Sequence, residues 1–250
     1  MQVVIDDLLV HYSLVGKGKA VLLLHGWGDS LAGFHDLQLA LEKSFQVVSL
    51  DLPGFGQSQA PKTDWGLDEY ALFVAHFLKK ALTGKLYAVV GHSNGGAIAV
   101  RGLARHVLEA DRLVLLASAG VRGEYQGRVK AIRLITKTGK ALITPLPHRF
   151  KMRLKQKVYN TVGSDMLVAE HLQGSFKKII SDDVREDAAG LQLPTLLING
   201  MQDKSVPLSF GQELHQKIAG SQFEIIDPAE HFVHHDQPEA VLSYLKGFLK

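Results

Sequence analysis

The sequence predicts an α/β fold in which helices cover both faces of a mostly parallel β-sheet. Short apolar segments alternate with amphipathic segments of helical period, which is the pattern of buried strands joined by crossover helices. The alternation stops near residue 121 and resumes near residue 190, so we expect a core of residues 1–120 and 191–250 and an inserted helical segment, 121–190. The chain of 250 residues is 46% hydrophobic and 21% charged, which excludes a mainly disordered or collagen-like protein.

The predicted elements of the core follow one another in a regular order. Residues 2–15 alternate loosely between apolar and polar side chains and predict a pair of strands. Beyond them, apolar runs predict strands at 20–24, 45–50, 86–90, 112–117, 194–198 and 223–226, and helical spacing predicts helices at 33–43, 68–82, 95–108, 209–218 and 238–249. In the helix at 68–82, we expect Leu72, Ala75 and Leu78 to share one apolar side.

Composition limits the chemistry and the location of the protein. The chain contains no cysteine, which excludes disulfides, thiolate nucleophiles and cysteine-based metal sites. The first ten residues include Asp6 and Asp7 and no basic residue, so they do not resemble a signal peptide. No apolar run approaches the roughly 18 residues of a membrane-spanning helix. We therefore expect a cytoplasmic protein without a transmembrane segment.

A candidate nucleophile lies in the sequence Gly91-His92-Ser93-Asn94-Gly95-Gly96, between a predicted strand and a predicted helix. The pattern G-x-S-x-G in this context is typical of a nucleophile elbow, a tight and strained turn that exposes the serine hydroxyl at the carboxyl edge of the sheet. Gly91 and Gly95 are the small residues that such a turn requires. The first amides of the following helix point to the same place, where negative charge is favoured.

A serine hydroxyl needs a general base, and in this arrangement an acid and then a histidine should follow it along the chain. Asp203 and His231 each come after a predicted strand, so both should lie at the same edge of the sheet as Ser93. We predict Ser93 as nucleophile, His231 as general base and acid, and Asp203 as the group that orients the imidazole. Asp227 is the competing acid.

Other histidines near these positions have alternative interpretations. His234 and His235 are alternative bases, although both lie closer to the final predicted helix. His25 and His92 flank the predicted site and are expected to hold loops by hydrogen bonds. The spacing of His231, His234 and His235 could suggest a metal site, but it brings no spaced carboxylate and no second histidine cluster, so we predict no metal.

Acyl transfer also requires hydrogen-bond donors for the oxyanion that develops on the substrate. The backbone N–H of Asn94, directly after the nucleophile, is one predicted donor. The backbone N–H of Trp27, in the loop His25-Gly26-Trp27-Gly28 after a predicted strand, is the second. The Trp27 indole is also a candidate wall of the substrate pocket, or part of the core.

Taken together, these motifs resemble those of the α/β-hydrolase superfamily. They follow one another in the order found in that superfamily, and they extend over nearly the whole chain. They are the His-Gly-Trp-Gly loop (25–28), Asp-Leu-Pro-Gly-Phe-Gly-Gln-Ser (51–58), the elbow (91–96), Gly-x-x-Asp-x-x-Val-Pro (200–207) and the loop of His231. The resemblance implies a mostly parallel sheet, a helical cap formed by 121–190, and hydrolysis of an ester-like bond without a cofactor. The compact size and the first loop resemble small capped carboxylesterases, such as the pimeloyl-acyl-carrier-protein methyl esterases. Glu230 departs from the family, which often has glycine there.

Charge is distributed unevenly along the chain. Residues 122–157 contain eleven Lys and Arg and a single acid, a net charge of +10, whereas the whole chain carries +3 and the remainder therefore −7. This segment is either a solvated helix face or a surface that attracts an anionic or carrier-bound ester or acyl substrate. No nucleic-acid-binding motif accompanies it, so we expect no nucleic-acid partner.

The predicted function is hydrolysis of a carboxylic ester, thioester or lactone through an acyl-enzyme on Ser93. The same three residues could instead serve carbon–carbon bond hydrolysis, lyase chemistry or acyl transfer. A third alternative is a ligand-binding receptor that retains the fold.

Overall fold

The computed structural model of the chain describes residues 1–122 and 169–250. Most of the predicted insertion, including the basic residues beyond Arg122, lies outside these residues. Residues 169–190 are described and belong to the same compact unit as the sheet. The assignment of 121–190 as a cap stays a prediction.

The core is a single eight-stranded sheet with the strand order β1-β2-β4-β3-β5-β6-β7-β8. The first two strands pair antiparallel with each other, and β2 also pairs antiparallel with β4. All pairs from β4 to β8 are parallel. The strands are β1 Gln2–Ile5, β2 Leu8–Gly16, β3 Ala20–Leu24, β4 Gln46–Leu50, β5 Leu86–His92, β6 Ala110–Leu116, β7 Thr195–Gly200 and β8 Gln222–Ile226. The predicted mostly parallel α/β sheet is confirmed.

Helices connect the parallel strands and cover both faces of the sheet. They are α1 His35–Leu41, α2 Leu67–Ala81, α3 Asn94–Ala104, α4 Gln173–Ser181, α5 Arg185–Ala189, α6 Leu208–Lys217, α7 Val233–Asp236 and α8 Pro238–Phe248. Two 3₁₀ turns, Leu31–Phe34 and Glu170–Leu172, precede α1 and α4. No helix in residues 1–122 or 169–250 has the length and apolar character needed to span a membrane.

Strand alternation divides the core into two layers, because successive side chains point to opposite faces of the sheet. Leu22 and Leu24 of β3 pack in the layer that contains Tyr70 and Phe77 of α2. Their neighbours Val21 and Leu23 pack in the other layer, with α1 and α8. Burial on both faces explains why the central strands appear in the sequence as continuous apolar runs.

Two sequence expectations for the helices are wrong in detail. Leu72 of α2 is 49% exposed, because the buried stripe runs instead through Leu67, Tyr70, Val74 and Phe77. The helix predicted to reach residue 108 ends at Ala104. It stops because His106 adopts a left-handed conformation (φ 55°), and the N–H groups of residues 107 and 108 turn back to the carbonyl of residue 102.

Arg101 connects α3 to the last part of the predicted insertion, residues 182–187. Its side chain is 4% exposed and forms ion pairs with Asp68 of α2, with Asp182, and with Asp187 of α5, at 3.1, 2.7 and 2.8 Å. A fourth aspartate, Asp183, accepts a hydrogen bond from the guanidinium through its backbone carbonyl oxygen. The helix that follows the candidate nucleophile is thus held by the ion pairs of a buried arginine with aspartates that are partly exposed.

Candidate active site

Ser93 occupies a strained turn between β5 and α3. Its backbone has φ 50° and ψ −118°, a conformation that a residue with a side chain rarely adopts and that costs about 1–3 kcal/mol. The Ser93 N–H donates to the carbonyl of Leu116 in β6 at 3.0 Å, which ties the turn to the sheet. This geometry agrees with the elbow that the sequence predicts.

Close approach of backbone explains the glycines on either side of Ser93. A Cβ added to Gly91 would lie 2.6 Å from the backbone of Gly96. A Cβ added to Gly95 would collide with the carbonyl oxygen of Leu24, at the end of β3. The elbow is therefore packed against both the start of α3 and the neighbouring strand.

Ser93, His231 and Asp203 lie together at the carboxyl edge of the sheet. The Nε2 atom of His231 is 3.0 Å from Ser93 Oγ, and its Nδ1 atom is 2.8 Å from Asp203 Oδ2. The Asp203 side chain is fully buried, and its other oxygen accepts N–H bonds from Ser205 and Val206, both at 2.8 Å.

The contacts of Asp203 decide the tautomer of His231. An ionised carboxylate can only accept hydrogen bonds, so His231 Nδ1 carries the proton and donates it to Asp203. The Nε2 atom is then left with a lone pair directed at Ser93 Oγ. A neutral imidazole in this state can take the hydroxyl proton of Ser93.

The two predicted oxyanion donors flank the nucleophile. A Cβ on Gly26 would lie 3.1 Å from Ser93 Cβ, so the loop that carries Trp27 runs directly beside the serine. Asn94 is the first residue of α3. Within the described part of the chain, neither the Trp27 nor the Asn94 backbone N–H donates to a protein acceptor. Both amides are thus free to bind an oxyanion.

Trp27 also contributes to an aromatic surface next to this loop. Its ring lies 4.9 Å from Phe55 and 5.1 Å from Phe176, measured between ring centroids. The indole nitrogen and both polar atoms of the Asn94 side chain are buried and have no partner among residues 1–122 and 169–250. Donors of this kind are uncommon in protein interiors and are suited to a polar ligand.

The competing residues lie elsewhere or are engaged. Asp227 is exposed and accepts only a 3.3 Å hydrogen bond from Gln202 within the described residues. His235 Nε2 donates to the carbonyl of Gly33 at 2.6 Å. His234 is buried against Phe34 and His92. Its two ring nitrogens have no partner in the described residues.

His25 holds the loop that carries Trp27 by hydrogen bonds, as the sequence predicts. Its Nδ1 donates to the carbonyl of Gly26 at 2.7 Å, and its Nε2 accepts the N–H of Leu52 at 2.9 Å. The second contact requires Nε2 to be unprotonated. Burial lowers the pKa of His25, which keeps the imidazole neutral and this pair of contacts intact.

Some features of the site are not evident from the sequence. Phe176 comes from α4, in the last part of the predicted insertion, and no local motif indicates that it reaches Trp27. The amides that bind Asp203 follow it at two and three residues, a spacing that an Asp-x-Ser-Val turn could have suggested. Glu230 is exposed, and its N–H donates to Asp236 at 2.7 Å. In residues 1–122 and 169–250, no three His, Asp or Glu side chains converge as a metal site.

Known proteins resemble this chain over almost its full length. It is 25% identical to pimeloyl-[acyl-carrier protein] methyl ester esterase of Vibrio vulnificus (strain YJ016), over 96% of this chain and 97% of that protein. It is also 25% identical to 2-hydroxy-6-oxo-6-(2'-aminophenyl)hexa-2,4-dienoic acid hydrolase of Metapseudomonas resinovorans, over 94% and 86%. The structure of the enol-lactonase from Burkholderia xenovorans LB400 superposes with a TM-score of 0.77 at 22% identity, covering 100% of this chain and 99% of that one.

A profile of the alpha/beta hydrolase family matches residues 21–243. The match extends from β3 to α8 and includes the elbow, the loop of Asp203 and the loop of His231. The sheet order and the position of the elbow agree with it. The chain therefore belongs to the alpha/beta hydrolase family.

Proposed function

We propose that the protein is a serine hydrolase that cleaves a carboxylic ester, a thioester or a lactone through an acyl-enzyme on Ser93. The observation that carries the proposal is the continuous series of hydrogen bonds from Asp203 through His231 to Ser93, at 2.8 and 3.0 Å. The backbone amides of Trp27 and Asn94, which donate to no acceptor within residues 1–122 and 169–250, support it. No cofactor is needed for this chemistry.

In the first half of the reaction, Ser93 Oγ attacks the substrate carbonyl carbon while His231 Nε2 takes the hydroxyl proton. The carbonyl oxygen becomes an oxyanion and accepts the N–H bonds of Trp27 and Asn94. His231 then protonates the leaving alcohol or thiol as the carbon–heteroatom bond breaks. The acyl group remains on Ser93, and the imidazole is neutral again.

In the second half, water replaces the alcohol. His231 removes a proton from the water as its oxygen attacks the acyl carbon, and the second oxyanion uses the same two amides. Collapse of this intermediate breaks the bond to Ser93 Oγ, which regains its proton from His231. Asp203 stays ionised and stabilises the imidazolium in both halves.

Carbon–carbon bond hydrolysis is the second candidate, because a relative of similar identity is a hydrolase of a hexadienoic acid. The same nucleophile and base would serve it, with a carbanion in place of the leaving alcohol. Chromogenic esters and a vinylogous 1,5-diketo acid, tested side by side, separate the two activities by the ratio of their kcat/KM values. A lyase activity would instead release an aldehyde. An acyl-transfer activity would require an acceptor other than water.

We also propose that the substrate is anionic or bound to an acidic carrier, on the basis of the +10 charge in residues 122–157. Such a charge would accelerate association with an anionic ester and lose its effect as salt is added. Measured between low and high ionic strength, kcat/KM should fall for an anionic ester and stay level for its neutral counterpart. An equal, weak response of both esters would contradict this proposal. A cytoplasmic location also stays a prediction.

The experiment that tests the proposed function combines a fluorophosphonate with a panel of chromogenic esters of increasing acyl length. We expect phosphonylation of Ser93, located by peptide mass spectrometry, and loss of ester turnover by at least about 10³-fold in Ser93→Ala. Ser44→Ala, at an exposed serine, is the matched control and should behave as the unmodified protein. A protein that neither reacts with the phosphonate nor hydrolyses any ester would instead be a receptor that retains the fold.

A further inference from the structure

We infer that His92 is a positioning residue, which holds His231 in place by donating a hydrogen bond to the carbonyl oxygen of that residue. His92 Nε2 lies 3.0 Å from the His231 carbonyl oxygen, and the two rings lie 4.8 Å apart between centroids. The inference rests on the proposed function, because it concerns how His231 is held against Ser93.

The His92 end of this contact is rigid. His92 is the last residue of β5, is paired with Leu116 of β6, and is only 1% exposed. The next N–H along the chain, that of Ser93, donates to the Leu116 carbonyl at 3.0 Å. The imidazole therefore extends from a backbone that is fixed to β6.

The His231 end has less support of its own. His231 lies in the loop between β8 and α7, outside any helix or strand. On one side of it, the carbonyl of Ala229 accepts the N–H of Gln202, and the Glu230 N–H donates to Asp236. Among residues 1–122 and 169–250, the His231 backbone itself hydrogen-bonds to His92 alone. This contact restrains the residue that carries the proposed base.

The chemistry of the contact defines the state of His92. A carbonyl oxygen can only accept, so Nε2 must carry a proton. Burial and the neighbouring His234 and His231 keep the pKa of His92 well below its ordinary value, so the ring is neutral and Nδ1 is bare. Nδ1 faces Gly26, where an added Cβ would lie 3.0 Å away, and it has no partner in the described residues. Within the described residues, the hydrogen bond to the His231 carbonyl is thus the one that the His92 side chain makes.

His92 and Ser93 are also joined by a peptide bond, which closes a ring of contacts. The ring runs from the Ser93 backbone through the His92 side chain to the His231 backbone, and through the His231 imidazole back to Ser93 Oγ. Without the His92 donor, one side of the ring opens and the imidazole can move away from the hydroxyl. A displacement of about 1 Å is enough to lower the rate of such a step by about 100-fold.

Three variants of His92 separate positioning from packing. Glutamine can place an N–H donor where His92 Nε2 lies, whereas the shorter asparagine cannot reach it, and phenylalanine keeps a ring without a donor. With a chromogenic ester, and with kcat normalised to phosphonate-titrated sites, we expect His92→Asn and His92→Phe to lose about 10–100-fold in kcat. We expect KM to stay within about twofold and His92→Gln to recover most of kcat.

His234→Phe is the matched control, since it replaces a buried histidine of the same cluster that has no hydrogen-bond partner in the described residues. Its kcat should stay within about twofold of the unmodified protein. The inference is overturned if His92→Asn and His92→Phe keep normal kcat. It is also overturned if all three His92 variants lose kcat equally, in proportion to their Tm values, because that pattern indicates packing alone.

Nitrogen-15 NMR of the imidazoles provides a test that needs no turnover. At neutral pH, His92 should show a protonated Nε2 and a bare Nδ1, and the opposite tautomer would overturn the inference. If the unmodified protein shows this tautomer but neither hydrolyses esters nor reacts at Ser93, the proposed function fails while the contact stands. The two failures are therefore distinguishable.

Discussion

Two buried polar clusters of this protein differ in how completely their hydrogen-bonding groups are satisfied. Around Arg101, the guanidinium donates to three aspartates and to one carbonyl oxygen, at 2.7–3.2 Å. Around Ser93, the Trp27 indole and the Asn94 side chain are buried without partners in the described residues. Within residues 1–122 and 169–250, the charges of the first cluster pair with one another, whereas the second cluster keeps polar groups without partners.

This difference separates a structural role from a functional one. Burying unpaired donors is unfavourable by about 1–3 kcal/mol each, so a fold retains them where another molecule supplies the acceptors. A saturated cluster of charges binds nothing further, and its disruption affects stability. Variants in the two clusters should therefore fail in different assays.

The largest expected effect is on catalysis, in the cluster around Ser93. Asp203→Asn should lower kcat by up to about 10⁴-fold with little change in unfolding, because an amide no longer selects the Nδ1–H tautomer of His231. Ester kinetics and urea unfolding measure the two effects. Asp227→Asn is the control, at an exposed carboxylate 24 residues further along the chain. A larger loss of kcat in that variant would identify Asp227 as the acid.

The next effect is on stability, in the cluster around Arg101. Arg101→Met should lower the free energy of unfolding by about 3 kcal/mol, because among the described residues it leaves Asp182 without a cation and Asp187 with only a 3.4 Å contact to Arg105. Urea unfolding measures the change, and kcat per titrated site should be nearly retained.

Arg105→Met supplies the comparison for this prediction. Arg105 contacts two of the three aspartates that pair with Arg101, namely Asp68 and Asp187, but its side chain is 49% exposed. Its loss should lower the free energy of unfolding by less than about 1 kcal/mol. Equal losses in the free energy of unfolding for the two substitutions would show that the burial of Arg101 does not strengthen its contribution to stability.

An effect smaller than that of Arg101→Met concerns His234, next to the site. Burial, followed by the neighbouring His235, lowers its pKa to about 3. The unfolded chain binds this proton below about pH 6.5 and the folded chain does not, so stability falls as the pH drops from 6.5 towards 3. His234→Phe removes this contribution and should reduce the loss of stability between pH 7 and 4.5 by about 2 kcal/mol.

Urea unfolding at several pH values measures this slope. His92, which lies against His234, has a pKa that burial lowers as well, so part of the slope will remain in the variant. An unchanged slope in His234→Phe would contradict the assignment of a neutral, buried His234.

The sequence predicts the fold and the central residues of the site because these depend on local patterns. Strand and helix periods identify the α/β order, and Gly91 and Gly95 mark the turn that carries Ser93. Asp203 and His231 follow strand ends, and the carboxyl ends of parallel strands lie at one edge of a sheet.

The features that sequence analysis missed depend on contacts between distant segments. Leu72 matches the helical period as well as its neighbours do, and only the docking of α2 decides which side is buried. Phe176 reaches Trp27 from the last part of the predicted insertion, and the contact from His92 to the His231 carbonyl joins residues 139 apart in the chain. No spacing rule connects such pairs.

The most direct test of the account is to trap the acyl-enzyme. The protein is mixed with a chromogenic ester, quenched in acid within the first turnover, and digested for peptide mass spectrometry. We expect a burst of chromophore that matches the amount of protein and an acyl group on the peptide at Ser93. Steady hydrolysis with no acyl group on Ser93, or with the acyl group on another residue, would contradict it.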